Sequence, residues 1–596
     1  MSSARPLRIG GASGFWGDSS VGAPQLVASG GIDVLVFDYL AETTMAILAA
    51  AQRKNPAAGY ATDFVDAAMR QVLPQVVAQG IKVVSNAGGI HPQACADALA
   101  ALAAELGVAV RIAVVEGDDL RAQLPALREA GALVDMFSGQ PLPRQLASAN
   151  AYLGAEPIAR ALAEGADIVI TGRCVDSAVT LGPLIHHFGW SMDDFDRLAA
   201  GSLAGHIIEC GCQATGGLFT DWASVPDWAH IGYPIVTVQS DGSFTVAKPA
   251  GTGGLVSPAT VGEQLLYEIG DPAAYDLPDV RCDFTQVQMT QRAPDVVEVR
   301  GVRGSAPPAT LKVSATAMLG WRCSASLVIV GIDAVAKAQR TGQALLERCR
   351  GLLAQRGWPD FSAARIEVIG AESLYGPHAA APTLREVMLR VAVQHPQREA
   401  LELFAREQAA PGTSWSPGTT GPGGGRPAVS PLIAPCSFAL PRAAVTPAVR
   451  LDGRSLAVPF APSGGPGAPV HTVPPAVTAT GALQRVPLVA LAWARSGDKG
   501  NLSNIGLIAR QPDWLPWLWQ QVTPEAVLAW LGHLVTGPVD RYHLPGLHAM
   551  NLVLHGALDG GGPVSLRLDP LGKGMAQMLL EMPVAVPADW DLRAAP

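Results

Sequence analysis

The stretch Asp167–Ala178 reads DIVITGRCVDSA: three β-branched residues, Ile168 to Ile170, that break into glycine, arginine and aspartate. A short apolar run bounded by turn-forming residues reads as a buried strand. The same design occurs four more times upstream, as LRIGG from Leu7, DVLVFDY from Asp33, IKVVSNAGG from Ile81 and VRIAVVEGDD from Val110. Between these runs lie alanine-rich stretches such as Gln93–Gly107, whose Ala and Leu recur at helical spacing. Alternating strands and helices predict a parallel sheet wrapped by helices, an α/β body of Rossmann-like character over residues 1–225.

Downstream the texture changes. YPIVTVQSDGSFTVAKP, from Tyr233, carries a hairpin signal at Asp241-Gly242, and residues 226–460 are expected to form an α+β lobe. Residues 337–356 read as helical, IEVIGAES from Ile366 as a strand, and REVMLRVAVQHPQREALELFARE, from Arg385, as helices. Gly, Pro, Ser and Thr dominate Pro411–Pro431, and a similar bias over 461–482 reads as a linker. A C-terminal α+β domain is expected over 483–596, with strands at VPLVALAWARSGDKGNLSNIGLIA, LHAMNLVLHG and MLLEMPV.

With 596 residues, 49% of them apolar and 16% charged, the chain is long enough for several packed domains. A net charge of −9 without a Lys/Arg stripe argues against nucleic acid or an anionic membrane surface as partner. A small-molecule substrate is the expectation, and a homo-oligomer stays open. The eight cysteines are scattered without CxxC pairs, and MSSARPLRIGGASG reaches a strand at once, so a reduced, cytoplasmic protein without a signal peptide is expected.

Ligands of parallel α/β sheets bind beyond the carboxyl ends of the strands, where loop amides and helix N-termini converge. The expected site residues therefore follow the five strands: Gly14 and Asp18, then Asp38 and Glu42, Asn86 and Gly88, Glu116, and last Arg173, Asp176 and Ser177. Asp38, Glu42 and Asp176 are the candidate proton carriers, although Asp38 and Glu42 also suit an ordinary helix start. Arg173 is suited to grip a carboxylate or phosphate. GGASGFWGDSS lacks the strict GxGxxG order, so nicotinamide binding is weakly supported and a turn closed by Asp18 competes with it. In GHIIECGCQATGG, His206, Glu209, Cys210 and Cys212 have the wrong spacing for a zinc knuckle, and no metal is expected; Glu209, Gly216 and Gly217 remain possible site residues, as does the Gly251–Gly254 loop as an anion cradle. The C-terminal loop ARSGDKGNLSNIG adds Ser496, Asp498, Lys499 and Asn501 as binding candidates.

In order, GASGFWGDS, DYLAE, SNAGG, NAYLGA, TGRCVDSA, ECGCQATGG and ARSGDKGNLSNIG resemble the succession of motifs in the acyclic terpene utilisation (AtuA-type) family. The resemblance spans nearly the whole chain, and its last motif is similar to the family's ferredoxin-like C-terminal domain. It implies bacterial catabolism of branched acyclic terpenoids through coenzyme A thioesters, and it transfers no catalytic residues. The expected activity is a lyase or hydratase on a branched acyl-CoA or related carboxylic acid. Coenzyme A would enter as part of the substrate, and the sequence names no certain cofactor. The competing readings are a non-catalytic acyl-CoA-binding or assembly component of a carboxylase complex, and a nicotinamide-dependent oxidoreductase.

Overall fold

The computed structural model describes residues 5–380, 383–421, 425–478, 481–590 and 592. Five of its strands are the runs read from the sequence: β1 (Leu7–Gly11), β2 (Val34–Phe37), β3 (Lys82–Ser85), β4 (Ile112–Glu116) and, after β5 (Ser148–Ala151), β6 (Ile168–Thr171). They lie side by side in the order β1-β2-β3-β6-β4, all parallel. Side chains alternate between the two faces, as a pleated strand requires. Leu35, Phe37, Val83, Val114, Ile168 and Ile170 pack with Leu26, Leu73 and Leu99 from helices on one face. Val34, Val36, Val84, Val115 and Val169 pack with Ile158, Leu181 and Leu203 from helices on the other.

The sheet is mixed rather than wholly parallel. β7 (Ile235–Val238) runs antiparallel to β1 and turns at Gly242, φ 92°, into β8 (Phe244–Ala247). Val296–Arg300 and Gln288–Ala293 continue that edge, while Ala448–Leu451 and Arg454–Ala457 close the other, making 11 strands. The sheet thus draws strands from both sides of residue 225.

A second sheet is organised by the 21-residue strand Thr310–Val330, which pairs with β5, Ser430–Pro441 and Glu386–His395. Glu386–His395 corrects the helical expectation for this segment. Val387, Leu389, Val391 and Val393 are buried at every second position, a period of two that outweighs helix propensity; only Arg398–Glu407 is helical. MLLEMPV likewise divides between the helix Met575–Leu580 and the strand Pro583–Pro587.

The C-terminal domain is a four-stranded antiparallel sheet in the order Ala492–Lys499, Leu502–Ala509, Ala549–Leu554, Val539–Leu544. It is locked to the large body by buried polar groups. Asn504 Nδ2 donates to Leu266 O at 2.6 Å and to Asn551 Oδ1 at 2.9 Å, and Asn551 Nδ2 donates to Gly270 O at 2.6 Å. Arg495 pairs with Glu263 at 3.0 Å, both nearly inaccessible, and Arg510 with Asp221 at 2.6 Å.

Candidate active site

Beyond the carboxyl ends of β2, β3 and β6 the chain assembles a polar cleft. Asp38 follows β2 and is buried; its Oδ1 accepts from Asn86 Nδ2, while Asn86 Oδ1 accepts from Tyr39 N at 2.8 Å. Burial, and then the nearby negative charges of Asp176 and Glu209, push the Asp38 carboxyl well above the usual carboxylate range.

Arg173, 2% exposed, follows β6. Its Nη1 donates to Asp176 Oδ1 at 2.6 Å and to Cys174 O at 2.9 Å, and its guanidinium lies 4.1 Å from the Tyr152 ring centroid. Among the described residues its Nε is buried without a partner, a donor that a ligand or water oxygen would satisfy. Its backbone N–H donates to Asp118 Oδ2 at 2.8 Å, which also accepts from Asn150.

Glu42 opens the helix Glu42–Lys54 and accepts on Oε1 from Lys312 Nζ at 2.9 Å and Tyr152 Oη at 3.0 Å. The Lys312 charge holds Glu42 well below the usual range. Its field also includes Lys499 and Arg173, and Lys499 in turn senses Glu268, Glu42 and Asp176. These groups are walled in by neighbours yet stay reachable, Glu42 and Lys312 keeping 30% and 27% of their side-chain surface. A cavity of 390 Å³ lined by Glu42, Lys312, Ser437, Asp498, Asn501 and His555 opens onto them.

From the C-terminal loop, Asp498 receives Lys573 Nζ at 3.0 Å, and burial raises its carboxyl to about 6. Lys499 lies 3.7 Å from Glu268. Glu268 itself sits at φ 58°, a left-handed conformation costly for glutamate, with its N–H held by Asn504 Oδ1 at 2.9 Å.

The fold therefore brings together Asp38, Glu42, Asn86, Arg173, Asp176, Asp498 and Lys499. The other expected residues do different work. Asp18 closes its own loop, accepting from Gly14 N at 2.8 Å and Ser19 N at 2.7 Å; Gly14 packs against Cys210 and Gly211, and Gly88 against Pro92 and the Thr171 carbonyl. Glu116 pairs with Arg450 at 2.9 Å toward the sheet edge. Ser177 is buried ahead of the helix Ala178–Phe188, beside Gly205. Ser496 Oγ donates to Gly572 O and accepts from Ala576 N, anchoring a helix, and Asn501 Oδ1 braces Leu558 N and Gly560 N at the cavity wall. The amides of Thr252, Gly253 and Gly254 are taken by the carbonyls of Pro249, His230 and Pro226, leaving no anion cradle there.

Cys174 and Cys210 are thiols pushed upward by burial, and Glu209 accepts from or donates to His206 Nδ1 at 2.9 Å. Among the described residues no group of three or more His, Cys, Asp or Glu is placed to hold a metal, and no helix is long and apolar enough to cross a membrane. Sequence reading missed Tyr152, Lys312, Glu268 and Lys573. Tyr152 lay within the NAYLGA motif, whereas Lys312 had no local signal, being one polar residue on a long β-strand.

The chain thus joins a mixed α/β body to a small α+β domain, two modules in one polypeptide. The family model described as acyclic terpene utilisation family protein AtuA matches residues 7–451, and that of the AtuA ferredoxin-like domain matches residues 486–585. The chain belongs to the acyclic terpene utilisation family AtuA and carries its ferredoxin-like domain. No curated protein and no solved structure matches it.

Proposed function

We propose that the chain is a lyase or hydratase acting on a branched acyl-CoA or a related carboxylic acid in terpene utilisation. What supports this reading is the buried Asp38 carboxyl, held above the usual range by burial and by Asp176, near the Arg173–Asp176 pair, together with the cations Lys312 and Lys499 that act on Glu42. Reversible addition of water to a carbon–carbon double bond conjugated to a carbonyl needs three things: a proton donor for the α-carbon, a base for the attacking water, and positive charge beside the carbonyl oxygen. Asp38 supplies the proton. Asp176 accepts one from water, and Arg173 and Lys499 hold the oxygen on which negative charge develops. Lys312 favours the ionised form of Glu42, which suits orientation better than proton transfer.

The nicotinamide reading gains nothing from the first loop, because Asp18 already occupies the Gly14 amide. Incubating the full chain with branched acyl-CoA esters and following the products by mass spectrometry tests the proposal. Turnover is expected in the parent protein and lost in Asp38→Asn, Asp176→Asn and Arg173→Ala; product formation persisting in the triple variant would overturn it.

A further inference from the structure

A second cavity, 500 Å³ in volume, lies at the seam between the large body and the C-terminal domain. Its size falls within the ~300–1,000 Å³ of small-molecule sites. Leu218, Phe219, Trp222 and Trp228 form one side, Ala494 and Ala576 the other. Trp222 and Trp228 meet edge to face at 5.8 Å, yet keep 62% and 57% of their surface exposed, an unusual cost for two tryptophans that no other described residue covers.

Leu218 adds an independent sign. It is 74% exposed and adopts φ 58°, a conformation that a branched side chain resists and that Gly or Asn adopts more cheaply. A large apolar side chain is kept at the rim of the cavity despite its backbone. The inner end is polar: Tyr267 and Lys573 line it, and Lys573 Nζ reaches Asp498 at 3.0 Å and Glu268 at 2.9 Å. Asp498 also lines the cavity that opens onto Glu42 and Lys312. One wall, Tyr267–Lys573–Asp498, thus separates an aromatic chamber from the polar cleft.

We infer that the chamber between Trp222, Trp228 and the C-terminal domain is a binding site for the aliphatic chain of an amphipathic ligand, with its polar head directed toward Lys573 and the cleft. The two halves of the site then come from different modules, and the ferredoxin-like domain contributes part of the chain pocket. The inference rests on the proposed reaction only for the nature of the head group.

Calorimetric titration of the full chain with decan-1-ol and with decanoic acid tests it. Both probes are expected to bind, and Trp222→Ala/Trp228→Ala is expected to weaken both by at least tenfold. Leu218→Asn should weaken them several-fold while leaving the melting temperature equal or higher, which guards against a folding artefact. Lys312→Met, in the cleft, should leave decan-1-ol binding unchanged. The inference is overturned if decan-1-ol does not bind the parent protein, or if it binds the tryptophan variant equally well. Absent turnover with intact decan-1-ol binding would instead remove the reaction and keep the chain site.

Discussion

Lys312 Nζ lies 2.9 Å from Glu42 Oε1 across 270 residues of sequence, and the same oxygen accepts the Tyr152 hydroxyl at 3.0 Å. The contact joins the long strand of the second sheet to the helix that follows β2. Glu42 is held below its ordinary range chiefly by Lys312, so its share of stability is present above an unfolded pKa of ~4.3 and is lost as pH falls through the lower folded value. Lys312→Met is expected to cost about 1.5–3 kcal/mol at neutral pH, as a hydrogen bond to a charged group does. The deficit should shrink on the acid side as Glu42 becomes protonated, which urea unfolding at several pH values measures.

Asp38 has the opposite sign. Burial raises its folded pKa, so its contribution is fully present below an unfolded value of ~3.9 and is lost as pH rises through the folded value. Asp38→Asn keeps a neutral group at every pH and retains an oxygen to accept from Asn86 Nδ2. Its stability should match the parent below the unfolded value and exceed it increasingly as pH rises above that value, while turnover falls ~10²–10⁴-fold. Thermal melts paired with product assays check both halves.

Asp498, pushed up to about 6 by burial and then by Glu268, should appear in the pH dependence of turnover. The Lys573–Asp498 ion pair strengthens as pH rises through that value, so an inflection near 6 is expected in kcat/KM and should vanish in Asp498→Asn. If Asp498 plays no part at the cleft mouth, the profile of the variant will superimpose on that of the parent.

Gly11 ends β1 where a side chain has no room, since a β-carbon there would lie 2.3 Å from the Ile208 carbonyl oxygen. Gly11→Ala forces the helix Phe195–Ile208 off the sheet and should cost about 1–3 kcal/mol. Because that helix leads into Glu209, turnover should fall beyond the loss of folded protein; chemical unfolding and specific activity separate the two effects.

The five parallel strands were legible because each compresses into a few residues an apolar run and a polar tail, and the position of Asp38, Asn86, Arg173 and Asp176 just beyond them was legible too. The helical expectation for Glu386–His395 failed because alternating valine and leucine with few turn residues can serve either element until a neighbouring strand claims it. Lys312, Glu268 and Lys573 were invisible for a deeper reason: each reaches the cleft by tertiary approach, from a strand, a turn and a loop whose local sequences carry no chemistry. Glu116 and Asp18 are strand-end acids that bond instead to Arg450 and to their own loop.

Asn504 and Asn551 grip the backbone of Leu266 to Gly270 from across the module boundary, and Glu268 stands in the middle of that stretch. A carboxylate of the large body is thereby set in its left-handed pose by side chains from the other module. Fusion of the two into one polypeptide makes their stoichiometry one to one by construction, so every copy that folds carries the module that holds this stretch.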